Sequence, residues 1–446
     1  MLAAEQSSDT ATPSTMPSKI QRQHRIRHAE RDRFHRIGSL VKNLLRNRGG
    51  KRDSFKQLFM QSLYELVKKK QIIEPVPTID DTIDLSHLHG DDLRDKVVHF
   101  IHRLDIPGWH DIVEQDVQLS RISGALTNCV FLVTAPSKRQ KLLLRVYGVG
   151  VEQLFHREKE LYWMRLLSQL NIGAQLLGIF GNGRFEQYLE STTLTRFDLR
   201  DPQTSRSIAR KLYELHSIVN TFPPKNGSET VPEVWVNIDK WYELALSMVT
   251  EWYKKNPDEK RRDMLRQFDL FSLRDEIDQL KCEIPKAAPS PIVFAHNDTQ
   301  YGNILRLDSP PHELVIVDFE YAGYNFRGYD IGNHFCEWMA DYHSEEPHIL
   351  HLERYPNHEE QLNFLEAYLD AELVASSRKL DAAARQDALE KLADEANKWA
   401  VVSHLLWGLW GLVQAAQSEI DFDYFSYALQ RLEIFRTMSR KYGWTH

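Results

Sequence analysis

Two polar motifs in the second half of the chain constrain its fold more than any other feature. The first, AHNDTQYGNIL, contains Asp298 and Asn303, and the second, ELVIVDFEYAGYN, ends an apolar run with Asp318. Asp and Asn alone often mark ordinary turns, because they bond to their own backbone. Here they flank a predicted strand pair, 304–307 and 313–319, in a fixed order and spacing. This joint pattern predicts a functional loop that the surrounding fold holds in place.

The hydrophobic pattern changes from strands to helices along the chain. Alternating or short apolar runs predict strands in DVQLSRISGALTNCVFLVTA, KLLLRVYG, AQLLGIF and RFEQYLE, with one helix at 151–170 among them. Other helices are predicted at 55–69, 93–104, 201–219, 237–254, 258–280, 329–342, 381–416 and 424–441. The sequence therefore predicts an α+β fold with two lobes, a small antiparallel-sheet lobe at 54–190 that binds nucleotide and a larger, mostly helical lobe at 191–446.

The first 53 residues differ from the rest in composition. They are rich in Ser, Thr, Arg and His, and residues 17–52 hold twelve Lys and Arg against two Asp and Glu. Few large apolar residues are present to offset the entropy of ordering, so residues 1–53 are predicted to be a disordered basic leader. It is either simply solvated or makes contact with an acidic or anionic lipid surface. The whole chain has a net charge of −7, so the remaining body is acidic and no nucleic-acid partner is expected.

Cysteine usage and hydropathy point to an intracellular compartment. Cys129, Cys282 and Cys336 lie far apart with no metal-ligand spacing, so neither a disulfide framework nor a zinc site is predicted. The opening residues lack the apolar stretch of a secretory signal. The stretch VVSHLLWGLWGLVQAA is too short for a membrane span and is interrupted by polar residues. We expect a cytoplasmic protein without a transmembrane segment.

The two motifs fit phosphoryl transfer from ATP. This reaction needs a carboxylate for the acceptor hydroxyl, metal ligands for the phosphates and a nearby cation. Protein kinases place an Asp and an Asn five residues apart in the catalytic loop, and a metal-binding Asp follows in the next element. Asp298 and Asn303 have the same spacing, and Asp318 follows twenty residues after Asp298. The sequence predicts a catalytic base at Asp298 and Mg²⁺ ligands at Asn303 and Asp318.

The strand-rich region offers candidates for binding the nucleotide. The turn in RISGALTN can present backbone amides to phosphates, and its residues are Ser123, Gly124, Ala125, Leu126, Thr127 and Asn128. Arg145 lies where a kinase has its phosphate-pairing lysine, and arginine binds phosphate in a fork. Its partner on the next helix is Glu158 or Glu160, of which we prefer Glu160. Gln187 and Leu189 are candidates for the adenine contact, although an ordinary edge strand explains them nearly as well.

Together these residues resemble the choline/ethanolamine kinase family, the small-molecule branch of the protein-kinase-like fold. HNDTQYGNIL and VIVDFEYAGYNFRGYDIGNHFCEWM resemble its two signature motifs, and SHLLWGLWGLVQA resembles its C-terminal helix, so the resemblance covers about residues 116–442. It implies a catalytic base at Asp298, loop support from Gln300, and magnesium ligands at Asn303 and Asp318. It also implies that Asp330 and Asn333 hold the helix start and the catalytic loop, although Asp330 could equally be a helix N-cap.

An acceptor pocket for a quaternary ammonium can be argued from physics and from the resemblance. Such a cation has no hydrogen to donate and is best held by aromatic faces and a carboxylate. Trp407 and Trp410 lie three residues apart and share a helix face. An aromatic stripe is also typical of core packing. Positions that match the family's choline site favour the pocket; they are Tyr321, Glu337, Tyr342, Trp407, Trp410, Phe422 and Tyr427, with Asp298 beside them.

The resemblance implies ATP- and Mg²⁺-dependent phosphorylation of choline to phosphocholine, the first step of the CDP-choline route to phosphatidylcholine. The DFEY motif looks like the choline kinase version, with ethanolamine as a secondary substrate, and the basic leader resembles those of fungal members. Two alternatives stay open: an ethanolamine or aminoglycoside-type phosphotransferase, and a catalytically inactive choline-binding module. Family members also imply a homodimer.

Overall fold

The computed structural model describes residues 75–123, 128–147, 157–224, 230–255, 259–418 and 420–444. All of them belong to one compact unit, Gln71–His446. The predicted leader and the predicted helix at 55–69 lie outside the described residues. The boundary predicted at residue 190 falls within this unit, between its larger sheet and the first strand of the helical part.

The N-terminal part of the unit is one antiparallel sheet with two helices. Its elements are α1 (Gly90–Arg103), β1 (Gln118–Ser123), β2 (Asn128–Thr134), β3 (Leu142–Tyr147), α2 (Arg157–Gln169), β4 (Leu176–Phe180) and β5 (Gly183–Gln187). The strand order is β1-β2-β3-β5-β4. Side chains alternate between the two faces of a strand. Leu142 and Leu144 of β3 join Val97 and Ile101 of α1 in a buried cluster, so Arg145 lies on the opposite face.

The rest of the unit is mostly helical. Its helices are α3 (Arg196–Arg200), α4 (Pro202–His216), α5 (Glu233–Lys255), α6 (Glu259–Phe268), α7 (Leu273–Ala287), α8 (Arg327–Glu337), α9 (His358–Ala375), α10 (Ala382–Gln417) and α11 (Tyr424–Lys441). The long helix α10 packs against α5, α8 and α11. It is long and apolar enough to cross a membrane, but most of its apolar stretch is buried inside the protein. We therefore describe α10 as a core helix.

Helix starts follow the capping residues in the sequence. The Asp201 side chain accepts a hydrogen bond from the Thr204 amide at 2.8 Å before α4, and Asp381 caps α10 in the same way. Such caps satisfy amides that have no partner within the helix. The helix predicted at 258–280 is wrong as a single element, because the chain breaks at Asp269, where φ is 50°, and continues as α7.

Short strands frame the two polar motifs. β7 (Ile292–Ala295) pairs with β10 (Gly323–Phe326), while β8 (Ile304–Leu307) lies between β6 (Ser191–Thr193) and β9 (Leu314–Ile316). The first motif runs from β7 into β8, and the second runs from β9 toward β10. The predicted strand pair is present, and the pairing of β7 with β10 brings the outer ends of the two motifs together.

Candidate active site

The candidate catalytic loop, which runs from Asp298 to Asn303 in the first motif, is closed by hydrogen bonds between its own members. Asn303 Nδ2 donates to the backbone carbonyl of Asp298 at 2.9 Å and to its carboxylate Oδ2 at 2.8 Å. The Gln300 side chain accepts a hydrogen bond from the Gly302 amide at 2.9 Å and so caps the short 3-10 turn Tyr301–Asn303. The structure brings together Asp298 and Asn303, and Gln300 supports the loop between them.

Asp330 anchors the start of this loop from helix α8. Its Oδ1 accepts the Asn297 amide at 2.7 Å, and its Oδ2 accepts the His296 amide at 2.9 Å. His216 Nε2 also lies 2.9 Å from Oδ2, and Tyr368 of α9 is hydrogen-bonded to the other ring nitrogen of His216 at 2.7 Å. Burial alone would raise the pKa of Asp330, but these partners hold it below its usual value. Asp330 is an interior residue of α8 and therefore not its N-cap.

Two residues of the first motif join it to the second. Asn297 Nδ2 donates to the Tyr321 carbonyl at 2.8 Å, and His296 Nε2 is hydrogen-bonded to the Val317 carbonyl at 3.0 Å. Asn297 adopts a positive φ of 69°, in the left-handed region that Asn tolerates better than most residues. Our sequence predictions did not assign roles to His296 or Asn297, because their partners lie beyond the loop itself.

Several buried carboxylates lie close to one another at a position where a divalent cation could bind. Asp318 has φ 67°, and its Oδ1 is buried without a hydrogen-bond partner. The pKa of Asp298 is raised well above its usual value, first by burial and then by the negative charges of Glu337 and Asp318. Burial and Asp318 likewise raise the pKa of Glu320, which the sequence predictions missed although it lies two residues after Asp318. An unpartnered buried carboxylate oxygen beside other carboxylates is a suitable cation ligand.

These residues do not form a complete protein cage. In the described part of the chain, no group of three or more His, Cys, Asp and Glu side chains is arranged around one metal position. Mg²⁺ is commonly held by one or two carboxylates together with substrate phosphates. The donor set of Asp318, Glu320 and the side-chain oxygen of Asn303 fits that mode of binding.

A cavity of about 280 Å³ lies against the inner face of the larger sheet. Arg145, Gln187, Leu189 and Asp318 line it, together with apolar side chains of α2 and β8. These are four of the predicted nucleotide-binding residues. Gly124, Ala125, Leu126 and Thr127 lie outside the described residues, while Ser123 and Asn128 end and begin the strands on either side. Its lining combines apolar side chains with the guanidinium of Arg145, so the cavity can hold a flat apolar ring together with an anionic group.

The predicted pair of Arg145 with Glu160 needs a correction. Glu160 does face inward and Glu158 is exposed, but Glu160 accepts its hydrogen bond from Arg184 Nη1 at 2.7 Å. Arg184 Nε donates to Glu186 at 2.6 Å, and Arg145 lies 3.8 Å from the same carboxylate. Arg184 is opposite Arg145 in the register of β3 and β5, so it reaches the helix glutamate first.

This arrangement leaves Arg145 available to a ligand. Its Nε is buried without a hydrogen-bond partner, and it lines the cavity next to Asp318. The negative charges of Asp318 and Glu186 raise the pKa of Arg145 despite burial. A guanidinium held in this way can bind a phosphate group in a fork.

The predicted acceptor residues come together from four parts of the chain. Ring centroids of Tyr321 and Trp407 are 5.3 Å apart, those of Trp407 and Trp410 are 5.4 Å apart, and those of Trp410 and Tyr427 are 6.4 Å apart. Phe422 lies 5.6 Å from Tyr427 by the same measure. Trp241 and Tyr424 also join this aromatic cluster, and the sequence predictions missed both. The cluster fits a cation cage and fits core packing as well.

Hydrogen bonds on two sides of the aromatic cluster hold its side chains in place. Trp407 Nε1 donates to Asn333 Oδ1 at 2.7 Å, and Asn333 Nδ2 donates to the Asn297 carbonyl at 3.2 Å, so Asn333 links the cluster to the catalytic loop. Glu337 accepts hydrogen bonds from the Tyr342 hydroxyl at 2.6 Å and from Arg431 Nη2 at 2.8 Å. The sequence predictions missed Arg431, which is fully buried.

Comparison with known proteins places this geometry in one family. The family model described as Choline/ethanolamine kinase matches residues 119–436. A probable choline kinase 3 of Arabidopsis thaliana is 37% identical over 332 residues, covering 73% of this chain and 88% of the relative. A choline/ethanolamine kinase of Homo sapiens is 33% identical over 341 residues, covering 73% of this chain and 81% of the relative.

Solved structures agree with this assignment. A choline kinase from Cryptosporidium parvum has a TM-score of 0.62 and 26% identity, covering 78% of this chain and 97% of that chain. An ethanolamine kinase from Plasmodium vivax also has a TM-score of 0.62, with 25% identity and coverage of 85% and 95%. The fold is therefore the predicted bilobed, protein-kinase-like α+β fold. The chain belongs to the choline/ethanolamine kinase family, as the match to the family model and the identity to these relatives show.

Proposed function

We propose that the protein transfers the γ-phosphoryl group of ATP to choline and forms phosphocholine. The observation that carries this proposal is the pairing of a closed Asp298–Asn303 loop with an adjoining aromatic cluster. A loop of this kind acts on a hydroxyl group, and aromatic faces suit a quaternary ammonium. Choline has both groups in one small molecule.

The chain's own residues can perform the transfer. Asp298 would hold the choline hydroxyl and accept its proton as the oxygen bonds to the γ-phosphorus. The bond from that phosphorus to the β–γ bridging oxygen then breaks, and ADP leaves. Arg145 would bind phosphate oxygens from the sheet side of the cavity. Asp330 and Asn297 keep the loop in one geometry, which limits the motion needed to reach the transition state.

Magnesium is the cofactor we propose for the carboxylates. Asp318, Asn303 and Glu320 would hold it, since the buried Asp318 Oδ1 lacks a hydrogen-bond partner. The bound ion would supply positive charge to the phosphates. It would also counteract the raised pKa of Asp298, whose causes include the charge of Asp318 after burial and Glu337.

Ethanolamine is the second candidate acceptor. The similarity to the P. vivax ethanolamine kinase equals that to the C. parvum choline kinase in TM-score, so the fold does not separate the two substrates. The predicted homodimer and the place in phosphatidylcholine synthesis stay proposals on the family resemblance, and the cytoplasmic location stays a proposal on cysteine usage and hydropathy.

An ADP-release assay tests the proposal. Choline, ethanolamine and an aminoglycoside are offered in parallel with ATP and Mg²⁺, and Asp298→Asn serves as the blank. We expect the highest kcat/KM for choline and a lower value for ethanolamine. A higher kcat/KM for ethanolamine would assign the second candidate, and no turnover above the blank would favour the inactive binding module.

A further inference from the structure

Arg431 is a buried cation beside a pocket proposed to bind a cation. Its side chain extends from α11 and is fully buried, with Nη2 2.8 Å from Glu337 Oε1 and Nε 3.1 Å from the Tyr427 hydroxyl. Tyr427 and Glu337 both belong to the predicted acceptor site. Moving two charges out of water carries a large desolvation cost, which the attraction between them must offset. A charge of the same sign as the substrate at this position therefore calls for a functional explanation.

The contacts of Glu337 show what Arg431 does to the pocket. One carboxylate oxygen accepts from Arg431, and the other accepts from the Tyr342 hydroxyl at 2.6 Å. The negative charge of Glu337 is thus balanced, and each of its oxygens already has a donor. Other carboxylates also reach this cluster: the charges of Glu320, Asp298 and Asp318 contribute, after burial, to the raised pKa of Tyr321, and that of Asp298 also contributes to the raised pKa of Tyr427.

A carboxylate whose negative charge is already paired with an arginine should affect the binding of choline and of ethanolamine differently. A primary ammonium is strongly hydrated and has three N–H donors, so it loses much on leaving water unless acceptors replace the water. A quaternary ammonium has no N–H donor and binds to aromatic faces. A pocket with aromatic walls and a carboxylate whose charge is balanced and whose lone pairs are partly used therefore penalises ethanolamine more than choline.

We propose that Arg431, by pairing with Glu337, sets the preference of this site for choline over ethanolamine. The proposal rests on the function proposed above and specifies its substrate selectivity. Arg431 acts through Glu337 and is a positioning residue. Tyr342 contributes in the same sense, because its hydroxyl occupies the second carboxylate oxygen.

The test compares kcat/KM for choline with kcat/KM for ethanolamine in full-length variants. Arg431→Met leaves Glu337 free to accept from an ammonium, and we expect the ratio to fall about tenfold, the low end for a hydrogen bond to a charged group. Arg431→Lys keeps the charge and should keep the ratio within about threefold of the original. Tyr342→Phe frees one acceptor with the ion pair intact, and the ratio should fall about threefold. This milder variant keeps the test decisive if Arg431→Met does not fold.

Arg436→Met is the matched control. Arg436 lies on the same helix and pairs with Glu276 at 2.7 Å, away from the aromatic cluster. It should lose stability without a change in the ratio. Equal losses for both acceptors in Tyr342→Phe, and in Arg431→Met if it folds, would overturn the inference and leave choline phosphorylation standing. If the unmodified protein used neither acceptor, the proposed function would fail and this inference with it.

Discussion

Asn303 donates one amide hydrogen to the backbone carbonyl of Asp298 and the other to its carboxylate, at 2.9 and 2.8 Å. Together the two bonds hold Asp298, the proposed base, against Asn303 and leave the side-chain oxygen of Asn303 for a cation. A residue that positions the base and also offers a metal ligand should tolerate little change. The next substitution tests that expectation.

Asn303→Asp should reduce kcat by about a hundredfold or more, the range that a positioned base contributes. The new carboxylate cannot donate to Asp298 when ionised, and its charge raises the pKa of Asp298 further. Steady-state kinetics measure the loss, and thermal unfolding checks that the fold remains. Near-normal turnover in a folded variant would show that Asn303 neither orients the base nor holds the metal.

Substitutions of Arg184 and Arg145 should have different effects: the first should lower stability, and the second should weaken nucleotide binding. Arg184→Met removes the cation that hydrogen-bonds to the buried Glu160 and Glu186, so we expect a loss of about 3 to 5 kcal/mol in the free energy of unfolding. Arg145→Met should raise the KM for ATP at least about tenfold, with a smaller change in stability. Urea unfolding and ATP titration measure the two effects. The reverse pattern would show that Arg184, not Arg145, binds the phosphates.

Trp410→Ala should raise the choline KM by about tenfold or more and change the ATP KM little. A desolvated cation–π contact contributes up to about 2 kcal/mol, which corresponds to a factor of about thirty. Kinetics at saturating ATP and then at saturating choline give the two constants. If both constants rise equally, the aromatic cluster is core packing and the cage interpretation is wrong.

His334 should make stability depend on pH. It is fully buried, and its Nδ1 lies 2.8 Å from the Thr299 carbonyl, which requires an N–H at that nitrogen. Burial lowers the pKa of His334 to about 4 from an ordinary value of 6.5. The neutral form is therefore favoured by the fold, and its contribution is fully present above pH 6.5 and is lost as the pH falls toward 4.

His334→Asn keeps a donor near Thr299 but removes this titration. The stability difference between the unmodified protein and the variant should shrink by about 2 kcal/mol between pH 7.5 and pH 5. Urea unfolding at several pH values measures the difference. A difference that stays constant over this range would mean that His334 titrates normally in the folded protein.

The sequence predicted the parts of the site that depend on short spacing. The candidate residues Asp298, Asn303 and Asp318 lie within one pair of motifs, and Trp407 and Trp410 share a helix face by periodicity alone. The strand pair between the motifs was also predicted, because its apolar runs are short and bounded by turns. Family resemblance added the positions that complete the aromatic cluster.

The missed features join elements that are distant in the chain. Arg184 reaches Glu160 across 24 residues, Arg431 reaches Glu337 across 94, and His216 reaches Asp330 across 114. No local spacing encodes such pairs. Helix α9 was missed for a related reason: it packs against α4 on one side and α10 on another, so its apolar residues do not form one stripe.

The most direct test of the central claim is to identify the product. The purified protein is incubated with ATP, Mg²⁺ and choline, and the reaction is followed by ³¹P NMR, with Asp298→Asn treated identically. We predict that a phosphocholine resonance grows in step with ADP in the unmodified protein and is absent in the variant. ADP without phosphocholine, or equal phosphocholine from both proteins, would contradict the claim that Asp298 delivers the choline hydroxyl to the γ-phosphate.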